Sequence, residues 1–197
     1  MGNNYQLELD DILLSEGGRS VRRSLLLHSC CGPCSSYVLE YLSPHFDISV
    51  FFYNPNILPP EEYEKRLFWQ RFIAGKISPD INVIVPQYRS DEFLTVARGM
   101  EAEPEGGERC RSCFELRLRE TAKTAASLGF DLFCTTLTVS PHKNAHIIND
   151  IGRRLGGEYG VPFLPSDFKK RGGYLRSVRL SEEYGLYRQV YCGCGLG

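Results

Sequence analysis

An α/β fold with a mostly parallel sheet and helices on both faces is predicted by three features of this 197-residue chain. Buried-strand patterns alternate with helical ones, the strands run out into polar or Pro-containing loops, and the apolar segments are spread evenly enough for one core. The whole chain, 1–197, is therefore expected to form a single domain. Residues 1–23 read as an N-terminal extension, 24–156 as the sheet core, and 157–197 as a C-terminal segment that wraps back over the carboxyl edge of the sheet and its site.

Each element follows from local pattern. Ser24–Ser29 is a fully buried strand, and the following "CGPCSSYVLEYL" turns helical, with Pro33 suited to the first helical position and Tyr37, Val38, Tyr41 and Leu42 on the apolar face. Asp47–Asn54 is a second strand that ends in "NPNILPP", and strand ends of this kind are where α/β folds bind ligands. Glu61–Gly75 has helical periodicity in Tyr63, Leu67, Phe68, Phe72 and Ile73, with Glu61 and Glu62 favoured in its first turn. "INVIVPQY" is a third strand. Phe114, Leu118, Ala122, Ala125 and Leu128 mark a helix closed by Gly129, and "FDLFCTTLTV" is the fourth strand. Ser140 and Pro141 read as the N-cap and first residue of a helix whose buried stripe is Ile148, Ile151 and Leu155, ending before Gly156. From Gly157 onward no long periodic segment is visible.

Composition narrows the function. Eight cysteines are too few for a disulfide scaffold of this length, and no segment reads as a signal peptide, which points to a reducing cytoplasm. No apolar run reaches the roughly 20 residues needed to span a bilayer, so no membrane role is expected. The net charge of −1 carries no global nucleic-acid signature, but the charge is uneven. Residues 1–18 hold Glu8, Asp10, Asp11 and Glu16 and no cation. Residues 150–191 hold Arg153, Arg154, Lys169, Lys170, Arg171, Arg176, Arg179 and Arg188 against five acidic residues. This is a modest basic surplus, which reads either as a solvated surface or as a partner site.

The cysteines are grouped. Cys30 and Cys31 fall at a strand end ahead of a helix N-terminus, where free amides and the helix dipole favour thiolate. Cys110 and Cys113 in "RCRSC" have the two-residue spacing that turns both sulfurs toward one metal, again just ahead of a helix. Four thiolates from two such segments satisfy zinc or an iron-sulfur cluster. Cys34, in the first helical turn, reads as a ligand or as a small buried residue. Cys192 and Cys194 in "YCGCG" read as a strained, redox-active pair or as two free or metal-bound thiols, and Cys134 as an ordinary buried cysteine. His142 and His146 are four apart without the Glu of a metalloprotease motif; His28 packs at a strand end and His45 lies in a loop.

Taken in order, "CCGPC", "FFYNPNI", "RCRSCFELRL", "LGFDLFCTTLTVSPHKN", "DFKKRGGYLRS" and "EYGLYRQVYCGC" closely resemble the QueH-type epoxyqueuosine reductases over about residues 24–194, leaving the acidic N-terminal segment without a counterpart. The resemblance implies a Rossmann-like HUP sheet related to ATP pyrophosphatases, a 4Fe-4S cluster with an additional iron ion compatible beside it, and removal of an epoxide oxygen from a modified base in tRNA in the last step of queuosine synthesis. It implies cluster ligation by Cys30, Cys31, Cys110 and Cys113, and a redox role for Cys192 and Cys194. Cys134 stands where a threonine-like residue is the family expectation. Because "CCGPC" replaces the glycine-rich phosphate loop of related sheets, ATP binding is not expected. Asp167, Lys143 and Arg188 are candidate ligand, proton-donor or substrate-contact residues.

The expected partners are tRNA carrying epoxyqueuosine in its anticodon loop and an unidentified electron donor. Lys169–Arg179 with Arg153 and Arg154 is the expected phosphate-contacting stretch, and Tyr174, Tyr187 and Tyr191 are candidate base-stacking residues. Two other readings stand beside this one. An ATP-dependent tRNA thiolase of related fold would also need paired cysteines, and "CGPC" alone resembles a thiol-disulfide oxidoreductase motif, which leaves the second CxxC unexplained.

Overall fold

Seven buried strand residues decide which way the sheet faces. The computed structural model describes residues 4–196. Strands β1 (Arg23–His28), β2 (Phe46–Phe51), β3 (Asn82–Ile84) and β4 (Leu132–Thr135) form one sheet in the order β3-β2-β1-β4, every adjacent pair parallel. Alternation along the strands sends Leu25, Leu27, Val50 and Cys134 to one face, where they meet Leu9 and Leu13 of α1 (Tyr5–Glu16) and Val38, Leu39 and Leu42 of α2 (Gly32–Leu42). Leu26, Phe51 and Phe133 point the other way, onto α5 (Glu108–Leu128) and α6 (Ala145–Tyr159) through Phe114, Leu118, Ile148 and Leu155. The sheet is covered on both faces, as parallel sheets require. Helices α3 (Pro60–Ile77), α4 (Ser90–Ala97) and α7 (Gly173–Glu183) complete the layers.

Strand order reverses at β1, with β2 on one side and β4 on the other, and in open α/β sheets the crevice at such a switch point is where ligands bind. The chain leaves β1 through Ser29, Cys30 and Cys31 and leaves β4 through the short 3-10 turn Thr136–Val139. Both exits therefore open onto the same edge.

Several sequence expectations are corrected. The N-terminal segment carries α1, capped by the Asn4 side chain on Leu7 N–H and buried through Tyr5, Leu9 and Leu13 at four-residue spacing. Cys110 and Cys113 lie within α5 rather than ahead of it. The fourth strand stops at Thr135, and the cap of α6 is not Ser140 but Asn144, whose side-chain Oδ1 accepts from His146 and Ile147 N–H. That helix runs past Gly156 to Tyr159. The last 40 residues do contain a helix, α7, and α4 was hidden between loops. Gly129 does close α5 in the left-handed conformation, φ 74°.

Helix α7 can start where it does only because residue 173 is glycine. A β-carbon there would lie 2.0 Å from the Phe168 carbonyl oxygen and 2.4 Å from the Tyr37 ring. Gly173→Ala is expected to destabilise the fold by about 2–3 kcal/mol, as overpacking does, seen as a lowered urea midpoint. An unchanged midpoint would mean that α7 is not seated on α2.

Candidate metal and redox site

The loop after β1 is held by a last backbone bond from Ser29 N–H to the Phe51 carbonyl and by a buried polar cluster. The Ser29 and Ser35 hydroxyls bond to each other, one donating to its neighbour and that neighbour donating to Gln70 Oε1, which lies 2.7 and 2.6 Å from the two oxygens, while Asn54 Nδ2 donates to the Ser29 carbonyl at 2.8 Å. Beneath it His28 is fully buried, its ring bonded to Thr135 Oγ1 and the Tyr53 carbonyl. Burial, with the nearby Arg117 charge, lowers the His28 pKa to about 3, so it is a neutral structural residue. Gly32 then allows the chain to turn into α2 against α3, since a β-carbon there would stand 2.9 Å from the Trp69 carbonyl oxygen. Cys31 caps α2 in extended conformation with Pro33 in its first turn, as its sequence position predicts.

This geometry brings three sulfurs together. The Sγ atoms of Cys30, Cys31 and Cys34 all lie within 4.8 Å of one another, the Cys30–Cys31 pair at 3.9 Å. Hydrogen bonds from the Cys31 and Cys34 thiols hold Cys30 well below the ordinary thiol range. The same bonding raises Cys31 to about 11 and holds Cys34 well above the ordinary thiol value. Thiolate is therefore favoured at Cys30 and disfavoured at Cys31 and Cys34.

The other cysteine groups reach the same place. A cavity of about 360 Å³ is lined by Cys30, Cys31, Cys34, Cys110, Cys113, Cys192 and Cys194. Among the described residues, Cys110 and Cys113 are not members of the 4.8 Å group, in which the third sulfur beside Cys30 and Cys31 is that of Cys34. Cys110 accepts a 3.2 Å bond from Gly106 N–H, and Cys30 packs against the cluster that contains it. Cys113 packs with Phe93, Ala97 and Cys194. The C-terminal residues are tied down by Leu58 N–H on the Gly193 carbonyl at 2.7 Å and by the Arg109 guanidinium on the Leu196 carbonyl at 2.5 Å. The Cys194 thiol, donating to Cys192, lowers Cys192 to about 5 against the effect of burial. Cys134 is buried in β4, bonded to the Leu164 carbonyl and away from the cavity.

Cations line the cavity as well. Arg66, Arg117, Lys143 and Arg188 are all on its wall. Burial works against the Lys143 ammonium, but charge on Cys30, Cys34 and Cys192 outweighs it and holds the proton more tightly. Arg66 and Arg117 were not legible as site residues: a Glu-Arg pair four apart on a helix, as Glu62 and Arg66 are, is ordinarily a surface feature, and no local pattern marks Arg117. Of the three charged candidates named from sequence, Lys143 and Arg188 are present and Asp167 is not; it pairs with Lys169 at 2.6 Å. His142 borders the cavity and His146 does not.

Arg66 makes a 2.6 Å ion pair with Glu62, both buried, and Glu62 also accepts from Tyr187 Oη at 3.0 Å. Burial alone would raise the Glu62 carboxyl, but these donors win and hold it below its ordinary value. Its stabilising contribution is therefore present above the unfolded carboxylate pKa and is lost as pH falls through the lower folded one. Glu62→Gln is expected to cost about 3 kcal/mol, because it strands a buried guanidinium, and to flatten the acid side of the stability profile. Unfolding midpoints against pH would show otherwise if the pair were solvated.

The basic residues of the C-terminal third are largely neutralised. Arg153 pairs with Glu8, Arg171 with Asp10, Arg154 with Glu115 at 2.7 Å and Arg176 with Glu40 at 2.6 Å. The acidic N-terminal helix thus meets the basic surplus inside the same chain.

A parallel sheet covered on both faces, with seven thiols and a ring of cations at its switch point, defines an α/β protein suited to a soft metal centre: the donor chemistry fits thiolate-bound iron or zinc. A family model described as epoxyqueuosine reductase QueH matches residues 25–197. Proteins described as epoxyqueuosine reductase QueH from Streptococcus pyogenes serotype M1 and Staphylococcus epidermidis are 50% and 42% identical, over 97% of this chain and 76% and 83% of their own lengths. One from Thermotoga maritima is 39% identical over 87% of this chain and 88% of its own. The chain belongs to the QueH family of epoxyqueuosine reductases. The matches at 97% coverage extend into the N-terminal segment, correcting the expectation that it lacks a counterpart.

Proposed function

We propose that this chain removes the epoxide oxygen of epoxyqueuosine in tRNA to give queuosine, as an oxidoreductase of the reducing cytoplasm acting as a single domain. The observation that carries the reading is the gathering of seven free cysteines around one cavity, in a chain matched over nearly its whole length by reductases of that description. Two electrons and two protons enter; both epoxide C–O bonds break, the oxygen leaves as water and a carbon–carbon double bond forms. The strand order β3-β2-β1-β4 supports the finer assignment to a Rossmann-like HUP sheet.

We assign Cys30, Cys31, Cys110 and Cys113 to a 4Fe-4S cluster, with Cys34 beside it. Such a cluster supplies low-potential electrons when bound. Cys192 and Cys194 form a thiol pair within the same cavity, suited either to passing electrons or to holding an additional iron. Lys143 holds a proton among Cys30, Cys34 and Cys192 and is the group placed to deliver it to a departing oxygen. Arg66 and Arg117 offset thiolate charge from the α3 and α5 sides.

Iron and sulfide analysis of anaerobically prepared protein tests the cofactor, and omission of ATP tests the reaction class. Stoichiometric zinc in active protein would replace the cluster with a structural metal. Strict ATP dependence with sulfur gained by the base would favour a thiolase. No helix of the described residues is long and apolar enough to cross a membrane.

A further inference from the structure

The periodicity of α3 predicts that Phe68 and Phe72 join Tyr63, Leu67 and Ile73 in the core. The structure divides them. Tyr63, Leu67 and Ile73 are buried, whereas Phe68 is 61% exposed and Trp69 and Phe72 are half-buried beside it. Trp69 meets Phe68 edge-on at 5.3 Å and Phe72 at 5.4 Å, so the three rings form one aromatic ledge on the solvent side of the helix.

Cations bracket the ledge. Lys65, Phe68, Phe72 and Lys76 follow at spacings of three and four, which places them on one stripe. Lys76 Nζ lies 5.5 Å from the Phe72 ring centre, and Arg71 is exposed alongside. Among the described residues, Lys65, Arg71 and Lys76 make no ion pair, unlike most of the basic residues of the C-terminal third. Glu61 and Glu64 stand at the N-terminal end, so the positive stretch begins at Lys65 and runs about 16 Å to Lys76.

The stripe leads to the cavity. Lys65 Nζ sits 3.5 Å over the Tyr187 ring, the Tyr187 and Tyr191 hydroxyls are 3.3 Å apart, and Tyr191 lines the cavity next to fully exposed Val190. Exposed ring faces between unpaired cations, continuous with a pocket mouth, are the features that hold single-stranded nucleic acid: bases stack on the rings and phosphates meet the cations. An acidic protein would use the same cations but gives no reason for an aromatic ledge directed at the pocket.

We propose that the outer face of α3, from Lys65 to Lys76, is the surface on which the anticodon arm of the substrate tRNA docks, its loop bases stacking on Phe68 and Trp69 and its phosphates on Lys65, Arg71 and Lys76. This rests on the reading of the site as tRNA-modifying. It also moves the RNA contact away from Lys169–Arg179.

Trp69 is the only tryptophan in the chain, so its emission reports on this face directly. Anaerobic full-length protein is titrated with an anticodon stem-loop RNA, following Trp69 emission and, separately, anisotropy of labelled RNA at several salt concentrations. Quenching that saturates with RNA binding is expected. Lys65→Ala with Lys76→Ala should weaken binding by about tenfold or more and lower the salt slope by about 1.4 to 1.8. Phe68→Ala should weaken binding without changing the slope, with the visible spectrum of the protein unaltered in both variants. Undiminished affinity in both variants with unquenched Trp69 would place the RNA elsewhere and leave the enzymatic reading standing. Normal RNA binding with turnover lost only when a protein supplies the electrons would make the face a donor site and overturn the proposal. Failure of the unaltered protein to bind RNA would overturn the surface, and turnover on epoxyqueuosine-containing tRNA then decides the enzymatic reading separately.

Discussion

Cys31→Ser protein, prepared without oxygen, is expected to lose its visible absorption, to retain substoichiometric iron and to lose turnover by at least the roughly 100-fold that disturbing a metal site's supporting residues alone can cost. The reason lies in where Cys31 sits. It is 1% exposed, it caps α2 and its sulfur lies within the tight group made with Cys30 and Cys34. A serine hydroxyl keeps the cap position but is a hard, weakly acidic donor where a soft thiolate is required. Cys134→Ser is the matched control: equally buried, but in β4 and away from the cavity, it should lower stability and leave the chromophore and its iron content alone. If both variants lose the chromophore equally, the loss reports general unfolding and not ligation.

Cys192→Ser is expected to separate the two thiol groups. The cysteines proposed to hold the cluster reach the cavity from the end of β1 and from α5, whereas Cys192 arrives on the C-terminal segment, tied down through Leu58 and Arg109. Removing its sulfur leaves that anchoring intact. The visible spectrum should therefore persist while turnover falls by about 100-fold or more, since the site loses a thiol held largely as thiolate by Cys194. Retention of full turnover would show that this pair has no part in the reaction. A loss of iron without loss of the main absorption would assign the pair to metal binding instead of electron transfer.

Much of this was readable from residue order because it depends on local rules. Strand runs such as Leu25–Leu27 are too apolar to face water on either side, and adjacent Cys30 and Cys31 at a strand end are awkward to pack and almost impossible to bridge to each other. What escaped the sequence was set by tertiary pairing. Helix α1 looked like an acidic tail because Glu8 and Asp10 find their partners, Arg153 and Arg171, more than 140 residues away. Helix α7 is short, and its burial rests on Leu180 and on the close approach at Gly173. Glu62 reads only as a first-turn acid, yet it is buried and paired with Arg66, which lines the cavity, because α3 turns part of its polar side inward and part of its aromatic side outward. Periodicity locates a helix; only the neighbours decide which side is wet.

The most direct measurement is mass analysis of nucleosides from epoxyqueuosine-containing tRNA incubated with anaerobic protein and a strong reductant in the absence of ATP. The expected result is conversion of the modified nucleoside to one lighter by a single oxygen, dependent on Cys31 and Cys192. Recovery of unchanged epoxyqueuosine from iron-loaded protein, or a product that has gained sulfur, would contradict it.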